Sequence, residues 1–333
     1  MPDIPSDHGG ADDHDSWCDD VIFQEQYQPR EDAFIQRKYA ASLFLAGRGI
    51  RTPRILAVYR PGVVDFPALV AGLPATFVLK PDLGQAGQRV SVLCRSGDGF
   101  TDQQGAVYCV DDLHRLCRQP YREAWMVRFA PRNEVRIFCE RIVSHPRLAS
   151  LYRPDGFIDF RLYFIGGRPA GAFMRVPTDA SKGLGNFCQG AQIFNLDAEG
   201  TVVAETDLLV RQSTVNRNDG RDLAGFASPC WEHAMAGVSG IPGLFRSTLV
   251  CVDGTIDAQG QFVVVEITLK PTDVPTRNDQ VDRLIAAAPA TRRGSVVLAA
   301  ARRLLHEAYG MDAPDGARQH SDLSSEVSIE SGR

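Results

Sequence analysis

Several absences narrow the possibilities before any motif is read. No apolar run in the 333 residues approaches the ~18 that a bilayer-spanning helix needs; the longest, around Val296–Ala301, is ended by Arg302 and Arg303. The basic start and apolar stretch of a secretory signal are missing, because Met1 to Asp20 is acidic and polar, so a cytoplasmic protein is expected. The eight cysteines (Cys18, Cys94, Cys109, Cys117, Cys139, Cys188, Cys230 and Cys251) include no CxxC pair, and buried free thiols are expected of most of them. Cys188 differs in sitting in a polar, glycine-bearing loop, but no histidine is near it in sequence to activate it. There is no excess of positive charge: the net charge is −5, which gives nucleic acid no footing as a partner. No internal repeat is present.

What remains is an ordinary soluble composition, 44% hydrophobic and 23% charged, long enough for one large or two modest domains. Residues 1–25 and 312–333 are polar tails, expected to be disordered. Helical spacing runs over Asp32–Arg48, with Phe34, Ile35, Tyr39, Leu43, Phe44 and Leu45 on one broad face and Gly49 as a stop. Further helices are expected over Asp111–Arg118 with Asp111 as N-cap, Ser228–Val238, Val281–Ala287 and Gly294–Tyr309. Strands are expected over Arg54–Tyr59, Thr76–Lys80, Arg89–Cys94, Ala124–Phe129, Val135–Ile142 and Thr201–Glu205. Asp159–Ile165 and Arg168–Val176 form a hairpin around Gly166-Gly167, and Ser247–Cys251 and Gln261–Thr268 another around Ala258–Gly260.

Three stations carry chemistry. Lys80 ends the apolar strand Phe77-Val78-Leu79 and leads into a loop bearing Gly84 and Gly87. A strand-end ammonium reaches phosphate oxygens as a point charge, and glycines let backbone N–H groups approach them. No Gly-Lys-Ser/Thr follows, which argues against a Walker-type site. In the second station Asp159 and Arg161 share one strand face by alternation, and Arg175 ends the partner strand. Beyond it the small, polar, glycine-rich stretch Thr178–Gly190 reads as an active-site loop. Arg175, Lys182 and Asn186 are its candidates for stabilising charge on a phosphoryl intermediate. In the third station the second hairpin brings Asp253 and Glu266 side by side, with Thr268 on the same face as Glu266 and Asp257 as a competing ligand. Paired carboxylates of this kind suit Mg²⁺, which prefers them together with substrate phosphate oxygens.

Taken together the stations resemble the ATP-grasp superfamily over roughly residues 34–285. Lys38 with Gly49-Ile50-Arg51-Thr52-Pro53, Lys80-Pro81 with the glycine loop, and the Val252–Asp257 to Val265–Thr268 hairpin are similar to its lysines, mobile loop and metal hairpin. Asp159-Phe160-Arg161 and Asn186-Phe187-Cys188-Gln189-Gly190 are similar to stations of its glutamate-ligase branch. Cys139 to Leu151 resembles the ATP-grasp group linked to sugar transfer. Three departures stand out: Thr268 replaces the asparagine of the metal set, the glycine loop is glycine-poor, and the region before Lys80 is short.

The resemblance implies an α+β ATP-grasp fold in which two lobes clasp ATP. Its parts would be a lead-in over 26–75, a central lobe over 76–143 and a C-terminal lobe over 144–311. It further implies Lys38 and Lys80 on phosphates, Glu140-Arg141-Ile142-Val143 as the adenine hinge, and Asp253, Glu266 and Thr268 on Mg²⁺. Arg161 and Arg175 would face the γ-phosphate and an acylphosphate. Trp125-Met126-Val127-Arg128, ahead of Glu134, is the alternative hinge. The implied activity is ATP-dependent joining of a small-molecule carboxylate and an amine. A phosphotransferase and a non-catalytic nucleotide-binding protein are the alternatives.

Overall fold

The helix expected over Asp32–Arg48 is two helices, α1 (Pro29–Ile35) and α2 (Lys38–Ala46). The computed structural model describes residues 29–60, 62, 65–84, 89–119, 135–153, 156–204 and 213–269. The break between α1 and α2 has a cause distant in sequence. Asp82 accepts hydrogen bonds from the first turn of α2: its carbonyl from Lys38 N (3.0 Å) and its Oδ1 from Tyr39 N (2.8 Å). Helix N-termini carry unpaired N–H groups, and Asp82 satisfies two of them from another segment, where Arg37 offers no capping side chain. Phe34, Ile35, Phe44 and Leu45 are buried as their spacing predicts, whereas Leu43 is exposed.

The strands form two six-stranded antiparallel sheets. The first contains β1 (Ile55–Tyr59), β2 (Thr76–Pro81), β3 (Ser91–Ser96), β4 (Gly99–Asp102), β5 (Val107–Tyr108) and β6 (Arg136–Glu140), in the order β1-β6-β2-β3-β4-β5. Along β2, Phe77 and Leu79 enter a core with Leu93, Phe100 and Phe138. Two helices, α3 (Phe66–Ala71) and α4 (Val110–Arg118), add Phe66, Val70, Leu113 and Cys117 to it. Strand alternation therefore sends Val78 and Lys80 to the opposite face. α4 starts one residue before its expected cap: Cys109, not Asp111, is the N-cap, and Asp112 Oδ2 accepts from Cys109 N (3.1 Å).

The second sheet contains β7 (Asp159–Ile165), β8 (Arg168–Val176), β9 (Gln192–Leu196), β10 (Val202–Val203), β11 (Leu249–Ile256) and β12 (Phe262–Thr268), in the order β10-β9-β8-β7-β11-β12. The expected β7–β8 hairpin is present, and Gly166 and Gly167 both take left-handed φ (57° and 82°), as a two-residue turn requires. Phe160, Leu162, Phe164, Met174, Phe194, Val250 and Val252 lie on one face. They pack against α1, α2, α5 (Pro146–Ala149) and α6 (Trp231–Val238). The opposite face of the same strands carries Asp159, Arg161, Arg175 and Asp253, beside a smaller apolar group of Tyr163, Phe173 and Cys251.

Some expectations shift. β11 runs from Leu249 to Ile256, well past the expected end at Cys251, because Asp253 and Gly254 still pair with both neighbouring strands. The expected Thr201–Glu205 strand shrinks to two residues, and α6 starts at Trp231. Strands β4, β5 and β9 and helices α3 and α5 were not anticipated. The Ala124–Phe129 strand, the Val281–Ala287 and Gly294–Tyr309 helices, the Trp125–Arg128 hinge and Gly87 lie outside the described residues. None of the cysteines Cys94, Cys109, Cys117, Cys139, Cys230 and Cys251 is in a disulfide: Cys117, Cys139 and Cys251 are buried as expected, but Cys109 and Cys230 are exposed. Burial pushes the Cys117 thiol up to about 12 and raises that of Cys139, so neither is primed as a nucleophile. Among the described residues no helix is long and apolar enough to cross a membrane.

Candidate active site

The unpacked faces of the two sheets line one cavity of about 530 Å³. Lys38, Lys80, Gly84, Glu140, Arg141, Ile142, Arg161, Arg175, Lys182, Asn186, Asp253, Glu266 and Thr268, all singled out by sequence, reach it together. Val143 does not: it is exposed and lies outside the lining. The expected hinge therefore reaches the cavity through Glu140, Arg141 and Ile142. Glu140 is partly committed elsewhere, since its Oε1 accepts from Arg54 N (3.0 Å).

Register explains how the second and third stations meet. Asp253 on β11 pairs directly with Arg161 on β7 and with Glu266 on β12, and Asp159 pairs with Arg175 on β8. Four buried charged side chains consequently share one patch. Arg161 forks onto Asp253, with Nε 2.7 Å from Oδ1 and Nη2 2.6 Å from Oδ2. Arg175 Nη2 donates to Asp159 Oδ2 and lies 3.1 Å from Asp253 Oδ2. Burial alone would raise the Asp253 carboxyl, but Arg161 and Arg175 overcome it and hold it down at about 2. Asp159 goes the other way. Burial raises it to about 7; Arg175 opposes that, and the negative charge of Asp253 reinforces it. Its Oδ1 is buried and accepts no hydrogen bond among the described residues.

Lys38, at the first turn of α2, joins the first and third stations. Its Nζ is 3.1 Å from Glu266 Oε1 and donates to the carbonyl of Gly84. Asp82 holds that turn, and its Oδ2 is 3.7 Å from Arg37. Replacing Asp82 by Ala should lower the unfolding free energy by about 1–2 kcal/mol, the scale of a lost helix cap, in urea titrations followed by circular dichroism. Lys80 is buried at the end of β2 and also lines the cavity. Val78, Val92, Cys94, Cys139 and Ile142 give the same cavity an apolar wall. It arises because Val78 and Lys80 alternate against the core residues of β2, a consequence visible only once the core face is known.

The loop between β8 and β9 closes another side. Thr178 Oγ1 donates to Gly190 O (2.9 Å), Ser181 Oγ accepts from Thr178 N (2.9 Å), and Asn218 Nδ2 donates to Pro177 O (2.9 Å), which ties down the loop base. Lys182 sits at a left-handed φ of 54°, a conformation that favours glycine, and faces the cavity with Asn186.

The candidate cation ligands Asp253, Glu266 and Thr268 line one wall and are hard oxygen donors, as Mg²⁺ prefers. Both carboxylates are engaged by basic side chains. Among the described residues no group of three or more His, Cys, Asp or Glu is placed to cage a metal. The set therefore fits a nucleotide-borne cation completed by phosphate oxygens rather than a standing protein-only site. Asp257 is not a competing ligand. It pairs with Arg51 (2.9 Å) and accepts from Gln259 N and Gln261 N (3.0 Å each), which shapes the β11–β12 turn. Asp82 and Asp159 are the site residues whose roles sequence spacing did not reveal.

Comparison with solved structures finds low-similarity neighbours. D-cycloserine synthetase DcsG is 18% identical with TM-score 0.43, over 84% of this chain and 73% of that one. D-alanine–D-alanine ligase from Bacillus anthracis is 14% identical with TM-score 0.40, over 81% and 67%. The ATP-grasp ligase PsnB with its minimal precursor is 14% identical with TM-score 0.39, over 85% and 63%, so this chain spans less than two thirds of that protein. No match is found among curated proteins. A model of the sugar-transfer associated ATP-grasp family matches residues 21–276, and the chain belongs to that family, with its α+β ATP-grasp fold.

Proposed function

We propose that this protein is an ATP-dependent ligase that joins a carboxylate to an amine through an acylphosphate. The observation that carries the reading is the convergence of Lys38, Lys80, Arg161 and Arg175 with Asp253 and Glu266 in one cavity that also has an apolar wall. The wall formed by Val78, Val92, Cys94, Cys139 and Ile142 suits a nucleobase, and the basic side chains suit a phosphate chain. Domain division follows the same reading, with residues 76–143 as central lobe and 144–311 as C-terminal lobe. The protein would work in the cytoplasm on small-molecule substrates.

In the first step a carboxylate oxygen attacks the γ-phosphorus, and the bond to the β-bridging oxygen breaks to leave ADP. In the second the amine attacks the acyl carbon, the C–O bond to phosphate breaks, and the amine's proton passes to the departing phosphate, which leaves as hydrogen phosphate. In this reading Lys80 and Lys38 orient the phosphates by charge, Arg161 and Arg175 neutralise the transferring phosphoryl group, and Lys182 and Asn186 stabilise the acyl oxygen. No side-chain nucleophile is needed. Mg²⁺, held by Asp253 and Glu266 with Thr268 alongside, supplies charge neutralisation on the phosphate oxygens when bound.

The test is MgATP binding by calorimetry and thermal shift on the wild type, Lys80→Ala and Glu266→Ala. A ligand at about a hundred times its Kd stabilises the native state by about 2.7 kcal/mol, and both variants should lose most of that. A wild type that gains no stability from MgATP refutes the reading. If it binds, the product made from candidate carboxylates and amines distinguishes a ligase, which yields an amide, from a phosphotransferase, which yields a stable phosphoester.

A further inference from the structure

Resting on the nucleotide reading above, the inference concerns what happens to Arg175 when a cation arrives. A cation on Asp253 Oδ2 competes with Arg175, because that oxygen already accepts from Arg161 and has Arg175 Nη2 beside it. Arg161 occupies both of its oxygens, and Arg175 Nη2 shares Oδ2 at 3.1 Å. An arginine released into a buried patch needs another acceptor, because an uncompensated buried charge is costly. One is already in place. Arg175 Nη2 also donates to Asp159 Oδ2, while Asp159 Oδ1 is buried without a hydrogen bond. A carboxylate with one oxygen engaged by a guanidinium and the other vacant is half of a bidentate fork.

Asp159 is also pinned. The loop residue Gly185 packs so closely that a Cβ there would lie 2.7 Å from the Asp159 Cβ. Gly185 therefore leaves the Asp159 side chain little room to swing toward the loop and away from Arg175.

We propose that Asp159 is a positioning residue that takes over the Arg175 guanidinium as Asp253 turns to a nucleotide-bound cation. Asp159 touches neither nucleotide nor cation in this scheme; it acts through Arg175. It lowers the barrier to giving up Asp253 and leaves Arg175 held on one side, with its remaining donors toward the cavity. Outer partners of this kind change metal affinity by about 10–100-fold when removed.

The experiment measures ADP affinity by calorimetry with excess Mg²⁺ and with EDTA, at about pH 8. In the wild type Mg²⁺ should tighten ADP binding. In Asp159→Asn the EDTA affinity should stay within about twofold, while the Mg²⁺-dependent gain falls about tenfold. In an Arg175→Lys background, where the shared guanidinium is gone, Asp159→Asn should have little further effect. A Mg²⁺ gain unchanged in Asp159→Asn overturns the proposal, as does an undiminished effect in the Arg175→Lys background. ADP that fails to bind the wild type under either condition overturns the nucleotide reading as well, so the two failures are distinguishable. A readout on the unaltered protein guards against misfolding of the variants. The Arg175 Nε–H resonance should shift with MgADP but not with ADP in EDTA, and an unshifted resonance with MgADP bound overturns the exchange.

Discussion

Arg161→Met should lower the free energy of unfolding by about 3–5 kcal/mol, the cost of leaving one member of a buried ion pair without its partner. Asp253 is 4% exposed, and Arg161 supplies its two shortest hydrogen bonds, at 2.6 and 2.7 Å. Methionine keeps much of the side-chain volume, so the loss reports the charge rather than a cavity. The deficit should grow with pH. In the wild type the Asp253 carboxyl is held below its unfolded value, so its contribution is present above about pH 4 and is lost as pH falls toward 2. Without Arg161, burial dominates and pulls the carboxyl the other way, so the variant loses stability as pH rises. Urea titrations at about pH 5 and pH 8 measure both slopes. Asp253→Asn added to Arg161→Met should restore part of the loss, because the buried charge goes with it. An Arg161→Met protein as stable as the wild type at pH 8 would mean that Arg175 alone satisfies Asp253.

Local alternation was the strongest signal in the sequence. Asp159 and Arg161 on one face, the Gly166-Gly167 hairpin, and the Asp253–Glu266 juxtaposition all follow from a period of two and a turn, and register confirms each. The family resemblance then brought the separated stations together, and the cavity collects their described candidate phosphate, hinge, loop and cation residues except Val143 and Asp257. What escaped was non-local. Asp82 caps a helix that begins at Lys38, 44 positions earlier, and so splits a pattern that reads as one helix. Asp159 reads as a strand-mate of Arg161, yet its interaction is with Arg175 across the hairpin. Asp257 has the residue type of a ligand, but Arg51 and two turn amides use its oxygens, which no spacing rule announces. Short elements such as β5 and α5 exist by packing on longer neighbours rather than by their own periodicity.

Gly185→Ala should leave ADP binding within a few-fold of wild type yet cut MgATP-dependent ADP formation about a hundredfold, the scale of a misplacement of about 1 Å at a reacting centre. The added methyl would stand 2.7 Å from the Asp159 Cβ, a distance that forces movement, and that Cβ is fixed to strand β7. Gly185 does not occupy the left-handed region, so alanine brings no backbone strain, and the close approach alone is tested. The loop has to give way. Its base cannot move far, because Thr178 bonds to Gly190 and Asn218 to Pro177. Displacement concentrates in the stretch between, which carries Lys182 and Asn186 into the cavity. Stability should fall by only about 1–3 kcal/mol, as for overpacking elsewhere in a protein. Bound ADP relies on Lys38, Lys80 and the apolar wall in the proposed site, none of which the methyl touches. Equal losses in ADP affinity and turnover would show that the loop holds nucleotide instead. A variant with wild-type turnover would remove Lys182 and Asn186 from the reaction.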